Sequence, residues 1–190
     1  MVQYLQLQSV EIIKMKKLIF YTPVILLIIL SFFLYLSLNR DSIKMESPLI
    51  GKNVPSFSLI ELGNPNGVFV TLDLLGDQKI KFINIWASWC IPCRAEHNVL
   101  KIISKIENVE VYGINYKDNQ QEALAFIDQL GNPYKKIGID NNGRASIEWG
   151  VFGVPETYII HNGKIIYKHI GPIHISELKS KILPIIKELS

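Results

Sequence analysis

From Leu18 to Leu38 the chain runs for 21 residues, LIFYTPVILLIILSFFLYLSL, without one charged side chain. A helix rises about 1.5 Å per residue, so this stretch reaches roughly the 30 Å of a bilayer's hydrocarbon core. A buried helix of a globular domain rarely stays apolar around its whole circumference for that length. Pro23 falls near the start, where a helix tolerates it. Lys14, Lys16 and Lys17 precede the run as the basic region of a signal peptide would, and Met15 offers an alternative start. The stretch is nevertheless too long for a cleaved signal, and Leu36-Ser37-Leu38-Asn39-Arg40 lacks a small-x-small cleavage pattern. The sequence therefore predicts a cytoplasmic segment over 1–17, an uncleaved transmembrane signal anchor over 18–38, a polar tether over 39–50 and one folded domain over 51–190. Three lysines before the run against Arg40 and Lys44 after it favour a domain on the outer side.

Charge divides in the same way. The chain carries 20 Lys and Arg against 17 Asp and Glu, and residues 1–40 hold four of the basic residues against Glu11 alone. The remaining 16 basic and 16 acidic residues of 41–190 cancel. With its basicity confined to the anchor, the domain has no footprint for a nucleic-acid partner.

Within the domain, apolar pieces at Phe57–Leu59 and Val68–Leu72 flank a turn expected at Gly63–Gly67. Lys81–Ala87 reads as a buried strand that runs straight into the cysteines. From Ile91 the apolar residues Ala95, Val99, Ile102, Ile103 and Ile106 follow helical spacing, and Val109–Tyr116 reads as the next strand. A strand, a helix and a strand in that order imply a parallel pair. Asn119 caps a second helix whose apolar face is Ala123, Phe126, Ile127 and Leu130. Thr157–Ile160 and Ile165–His169 form a hairpin around Asn162-Gly163. A last helix covers Ile175–Leu189, with Pro184 weakening its final turns. The order predicts an α/β domain: a central mixed sheet with helices on both faces.

The only two cysteines stand in Trp89-Cys90-Ile91-Pro92-Cys93, at the junction of a strand and a helix. That is the context of a redox C-x-x-C motif. A thiolate at a helix N-terminus meets unsatisfied N–H groups and the positive end of the dipole, which lower its pKa. Cys90 is thus the expected exposed attacking thiolate and Cys93, one turn further in, the resolving thiol. Pro92 suits the first helical turn. A purely structural crosslink gains only about 2 kcal/mol from so short a loop.

His97, four residues beyond Cys93, raises the alternative of a copper or zinc site with both cysteines, yet no fourth ligand for a closed zinc site stands nearby in sequence. His97 otherwise reads as an ordinary helix-surface residue. Glu96 is either a proton acceptor beneath the disulfide or a carboxylate that favours an early helical position. Trp89 borders the reactive thiol, whereas Trp86 reads as core. A peroxiredoxin-type peroxidase places a Pro and a Thr or Ser before its cysteine, where this chain has Ile83 and Ala87.

The run WASWCIPCRAEH resembles the thioredoxin-like proteins of cytochrome c maturation, the CcmG or DsbE type of thiol:disulfide interchange protein. Tyr112–Asp118 (YGINYKD) and the run from Gly138 to Thr157, ending in GVFGVPET, are similar to that family too, so the likeness covers the chain from Gly51 to Leu189. The resemblance implies a thioredoxin-like fold and a dithiol reductant that needs no bound cofactor. Its partners would be apocytochrome c, or a maturation thiol protein, and a transmembrane thiol donor of the CcdA or DsbD type. It implies a single-pass protein of the bacterial inner membrane with its domain in the periplasm. Residue by residue, it assigns Pro155 a cis peptide packed on the cysteines, Val154 a backbone contact to substrate, and Glu96 and Glu156 the family's acidic positions. Without the resemblance, Glu156 reads as a strand-edge charge.

Overall fold

The structure is a computed structural model that describes residues 20–36 and 47–190. The predicted segment 1–17, the ends of the apolar run and most of the tether lie outside the described residues. The chain divides into two units, 1–45 and 46–190, each described here by itself. In the first, residues 20–36 form helix α1, whose side chains are all exposed. Among the described residues no helix is long and apolar enough to cross a membrane.

The second unit is built on one sheet of seven strands, and its centre is set by hydrophobicity. Strand β3 (Ile80–Trp86) is buried at every position, which places it inside a sheet covered on both faces. It pairs in parallel with β4 (Val109–Tyr116), and β4 pairs in parallel with β5 (Ile137–Asp140). The connections are helices: α2 (Ile91–Ile103) links β3 to β4, and α3 (Gln120–Leu130) links β4 to β5. Beyond β5 lie β1 (Ser58–Glu61) and the edge strand β2 (Asn64–Val70), while β6 (Glu156–His161) and β7 (Lys164–Ile170) extend the sheet beyond β3. These outer strands are antiparallel to their neighbours, so the mixed sheet expected from the element order is found.

Alternation along β3 sorts the core. Phe82 and Trp86 pack with Leu100 of α2, Phe126 of α3, and Leu178, Ile182 and Ile186 of the C-terminal helix. Ile83 and Ile85 join Tyr112, Tyr158, Leu74 of a short 3-10 turn (Thr71–Leu74), and Trp149 at the end of the single-turn helix α4 (Arg144–Glu148). Helices therefore serve both faces, unequally: the long ones crowd one face.

Several local expectations shift. The β1–β2 turn is Leu62-Gly63, not Gly63–Gly67, because Asn64–Gly67 already belong to β2. Pro65 is admissible there since β2 is an edge strand. On α2, Ala95 and Ile102 are exposed, and the buried face runs through Cys93, Glu96, His97, Leu100 and Ile103. Two polar residues thus occupy the inward stripe that apolar spacing assigned elsewhere. The C-terminal helix is interrupted by a π segment, Leu178–Ile182, where the Leu183 amide reaches back to the Leu178 carbonyl just before Pro184. The β6–β7 turn is as expected, with Asn162 and Gly163 both at positive φ.

Gly113 on β4 leaves room for two rings: an added Cβ would lie 2.8 Å from Trp86 Nε1 and 3.2 Å from the Tyr134 ring. Those rings stack at 5.6 Å between centroids. Gly113→Ala is expected to cost about 1–3 kcal/mol by forcing this pair apart. A urea midpoint unchanged from the parent would contradict that packing.

Candidate active site

The site begins where β3 ends. Ala87, Ser88 and Trp89 carry the chain out of the core to Cys90, which is the N-cap of α2. Pro92 lies in the first turn, where its missing N–H is no loss. Cys90 and Cys93 are joined as a disulfide, with Cα atoms 5.3 Å apart. The Cys93 amide donates to Cys90 Sγ at 3.1 Å, so the first cysteine's sulfur serves as the cap of the helix. In the reduced form the same N–H and the helix dipole would favour the Cys90 thiolate.

Neither sulfur-bearing residue is open to solvent: Cys90 is 4% exposed and Cys93 2%. The expectation of an exposed Cys90 is corrected, because in the disulfide both residues pack into the apolar cluster with Ala87, Ile173 and partly buried Val154. What is exposed is their apolar surround, Trp89 at 55% and Ile91 at 83%. The Val154–Pro155 peptide is cis, Pro155 is buried, and its carbonyl accepts the Gly171 amide at 2.9 Å.

Residues 49–182 match the model of the redoxin family. The chain is 38% identical over 182 residues to the thiol:disulfide interchange protein DsbE of Escherichia coli strain K12, a match that covers 93% of this chain and 97% of that one. The chain belongs to the DsbE-type thiol:disulfide interchange proteins. It is also 48% identical over 119 residues to the thiol:disulfide interchange protein CycY of Rhizobium leguminosarum bv. viciae, covering 60% of this chain and 64% of that protein. The thioredoxin domain of a thiol-disulfide oxidoreductase from Bacteroides vulgatus shares the fold, with a TM-score of 0.61 at 17% identity, over 74% of this chain and 99% of that one. The DsbE-type chain is accordingly a thiol:disulfide oxidoreductase with a thioredoxin-like α/β fold.

Its two acidic positions differ in kind. Glu96 is 1% exposed on the inward face of α2. Its carboxylate accepts from Asn84 Nδ2 at 2.8 Å and from the Ile173 amide at 2.9 Å. Burial pushes its pKa up to about 7, against the opposing pull of those two donors. Glu156, fully buried at the start of β6, is no strand-edge charge: it pairs with Lys168 Nζ at 2.9 Å and accepts the Phe152 amide at 3.0 Å. Lys168 in turn donates to the Gly150 carbonyl at 2.8 Å, so the ion pair fastens both ends of the Gly150–Phe152 loop.

His97 also departs from expectation. It is 2% exposed, its Nε2 lies 2.7 Å from the Gly131 carbonyl, and its ring meets Phe126 edge-on. Burial holds its pKa below the ordinary histidine value, so the neutral ring donates Nε2–H to that carbonyl. With Nε2 so engaged, it is not a surface residue reaching for the cysteines. Among the described residues no group of three metal-ligating side chains comes together.

Sequence reading missed Asp118. Parallel pairing of β3 and β4 brings their carboxyl ends to one edge, with Trp86 opposite Asn115. There the Asp118 carboxylate accepts the Ser88 amide at 2.6 Å, the Ser88 hydroxyl at 2.7 Å, Asn115 Nδ2 at 2.8 Å and the Asn119 amide at 2.8 Å. Trp89 Nε1 donates to the adjacent Lys117 carbonyl at 3.2 Å. The loop leading into Cys90 is thus tied to the end of β4. Only the strand register could reveal this, because Ser88 and Asp118 stand 30 residues apart.

Asp118→Ala should cost about 2–3 kcal/mol and speed hydrogen exchange at the Ser88 amide, which loses its acceptor. Unchanged exchange there would contradict the clamp. Because the folded-state pKa of Glu96 is raised, its contribution to stability is full below about pH 4.5 and is lost as pH rises through about 7. Relative to Glu96→Gln, the oxidised protein should lose roughly 3 kcal/mol between pH 4.5 and pH 8 in urea unfolding. A pH-independent difference between the two would contradict the raised value.

Proposed function

We propose that this chain is a membrane-anchored dithiol reductant that keeps the cysteines of apocytochrome c, or of a maturation partner, reduced for haem attachment. The observation that carries the reading is the Cys90–Cys93 disulfide seated on the N-terminus of α2, with only the neutral Ile91 and Pro92 between the sulfurs. No charged residue there over-stabilises the thiolate, which suits a reductant better than an oxidant. Kinship with DsbE and CycY supports the setting.

In the reduced protein, the Cys90 thiolate attacks one sulfur of the substrate disulfide, forming a mixed disulfide and releasing the other substrate sulfur as a thiolate. Cys93 then gives its proton to the Glu96 carboxylate, and its thiolate attacks Cys90 Sγ. The Cys90–substrate bond breaks, the second substrate thiolate leaves, and the Cys90–Cys93 disulfide remains. Two electrons pass to the substrate, whose thiolates take protons from water. Val154 and cis-Pro155 offer the backbone edge on which the substrate's cysteine segment lies, Trp89 and Ile91 supply its apolar contact, and Glu156 holds the loop that precedes Pro155.

Residues 18–38 act as the anchor and the domain faces the periplasm. Restoring the dithiol falls to a transmembrane thiol carrier of the CcdA or DsbD type. The exchange is carried by the cysteines themselves and calls for no cofactor.

Cys93→Ser removes the resolving thiol and should accumulate a one-to-one mixed disulfide on Cys90 when offered an oxidised Cys-x-x-Cys-His peptide, the haem-attachment pattern. Cys90→Ser should accumulate none. Equal trapping by glutathione disulfide, with no preference for the peptide, would favour a general thiol reductase over the maturation role.

A further inference from the structure

Position 84 breaks the apolar pattern of β3. Its neighbours on the same face, Phe82 and Trp86, are core residues, and Asn84 is itself fully buried in the middle of the sheet. An amide placed there is costly unless its donors and acceptor are all engaged. They are: Nδ2 donates to Glu96 Oε1 at 2.8 Å and to Thr157 Oγ1 at 3.0 Å, while Oδ1 accepts the Tyr134 hydroxyl at 2.8 Å.

The network has one sense. Turning the amide over would set its oxygen against the Glu96 carboxylate, so that carboxylate fixes Nδ2 toward itself. Tyr134 is buried, with its pKa raised well above the ordinary phenol value, and it stays a protonated donor. Tyr134 therefore polarises the Asn84 amide, and Asn84 presents an N–H to Glu96, while the Ile173 amide meets the other carboxylate oxygen. Both oxygens of Glu96 are met by donors, which favour its ionised form against the burial that opposes it.

We propose that Asn84 and Tyr134 are positioning residues that set the proton affinity of Glu96 and keep its carboxylate ready to accept the Cys93 proton. The inference rests on the reading of Glu96 as the acceptor in the resolution step. The groups facing Glu96 are Asn84 from β3, with Thr157 of β6 and Tyr134 before β5 beyond it, and the Ile173 amide after β7. Among the described residues no lysine, arginine or histidine forms an ion pair with Glu96, so neutral donors alone hold its charge.

The test uses the full chain as Asn84→Leu, Tyr134→Phe and Glu96→Gln. The Glu96 carboxyl carbon is titrated by carbon-13 NMR in the disulfide form, its resonance identified by its loss in Glu96→Gln. Removing a donor from a carboxylate disfavours the charged form, so the midpoint must rise. In Asn84→Leu the proton affinity should grow about tenfold or more, the scale of a hydrogen bond to a charged group. Tyr134→Phe, which deletes one hydroxyl, should raise it by a smaller factor of about two to three, through weaker polarisation of the amide. If Asn84→Leu does not fold, Tyr134→Phe carries the test alone.

A midpoint that stays at the parent's value in a folded variant overturns the inference. The pH dependence of mixed-disulfide resolution is then followed in the same proteins, and its inflection should move upward with the NMR midpoint. A shifted NMR midpoint with no inflection in the parent's rate profile would keep the network's hold on Glu96 and contradict only the acceptor role.

Discussion

The Cys93 amide donates to the Cys90 sulfur at the open end of α2, and the rest of the domain is arranged so that this contact occurs in one place. The fully buried strand β3 brings the chain to that point without freedom to slide, since a one-residue slip would turn its core face outward. Asp118 and the Lys117 carbonyl then hold Ser88 and Trp89 at the exit. On the opposite approach, the loop before cis-Pro155 is fastened by Glu156 and Lys168. A helix N-terminus favours a thiolate only over its first turn, so this fixing of the entry keeps the Cys90 sulfur within reach of those N–H groups.

Two buried carboxylates lie on the same side of the chemistry in sequence terms, yet physics separates them. Glu156 has a lysine at ion-pair distance, and removing either partner would strand a buried charge. It is a fastening. Among the described residues Glu96 has only neutral donors, and its pKa near 7 lets it change protonation state under ordinary conditions. That difference gives Glu156 a fixed structural partner and suits Glu96 to the proton-accepting role proposed for it.

The hydrophobic pattern made β3, β4, α3 and the β6–β7 hairpin legible, because each has a periodicity or a turn signal of its own. The cysteine pair was legible from its place between a strand and a helix. What stayed hidden depends on contacts distant in sequence. Four-residue β5 and single-turn α4 are too short to show a period, and the Asp118 clamp exists only through strand register. His97 looks like a helix-surface residue, and Glu96 stays open between a place beneath the disulfide and an early helical carboxylate, until the inward stripe of α2 is known to run through both. Asn84 gave one local sign, a polar residue on the face of β3 otherwise made by Ile80, Phe82 and Trp86, but its partners lie 12, 50 and 73 residues away.

In the proposed reductant, the Cys90–Cys93 dithiol gives up two electrons and closes to the disulfide. The most direct test is the equilibrium reduction potential of the Cys90–Cys93 pair, measured against a thiol buffer series. A value near or below about −200 mV, in the range of glutaredoxins and thioredoxin, is the result expected of a reductant, and one near about −120 mV would mark the pair as an oxidant and contradict it.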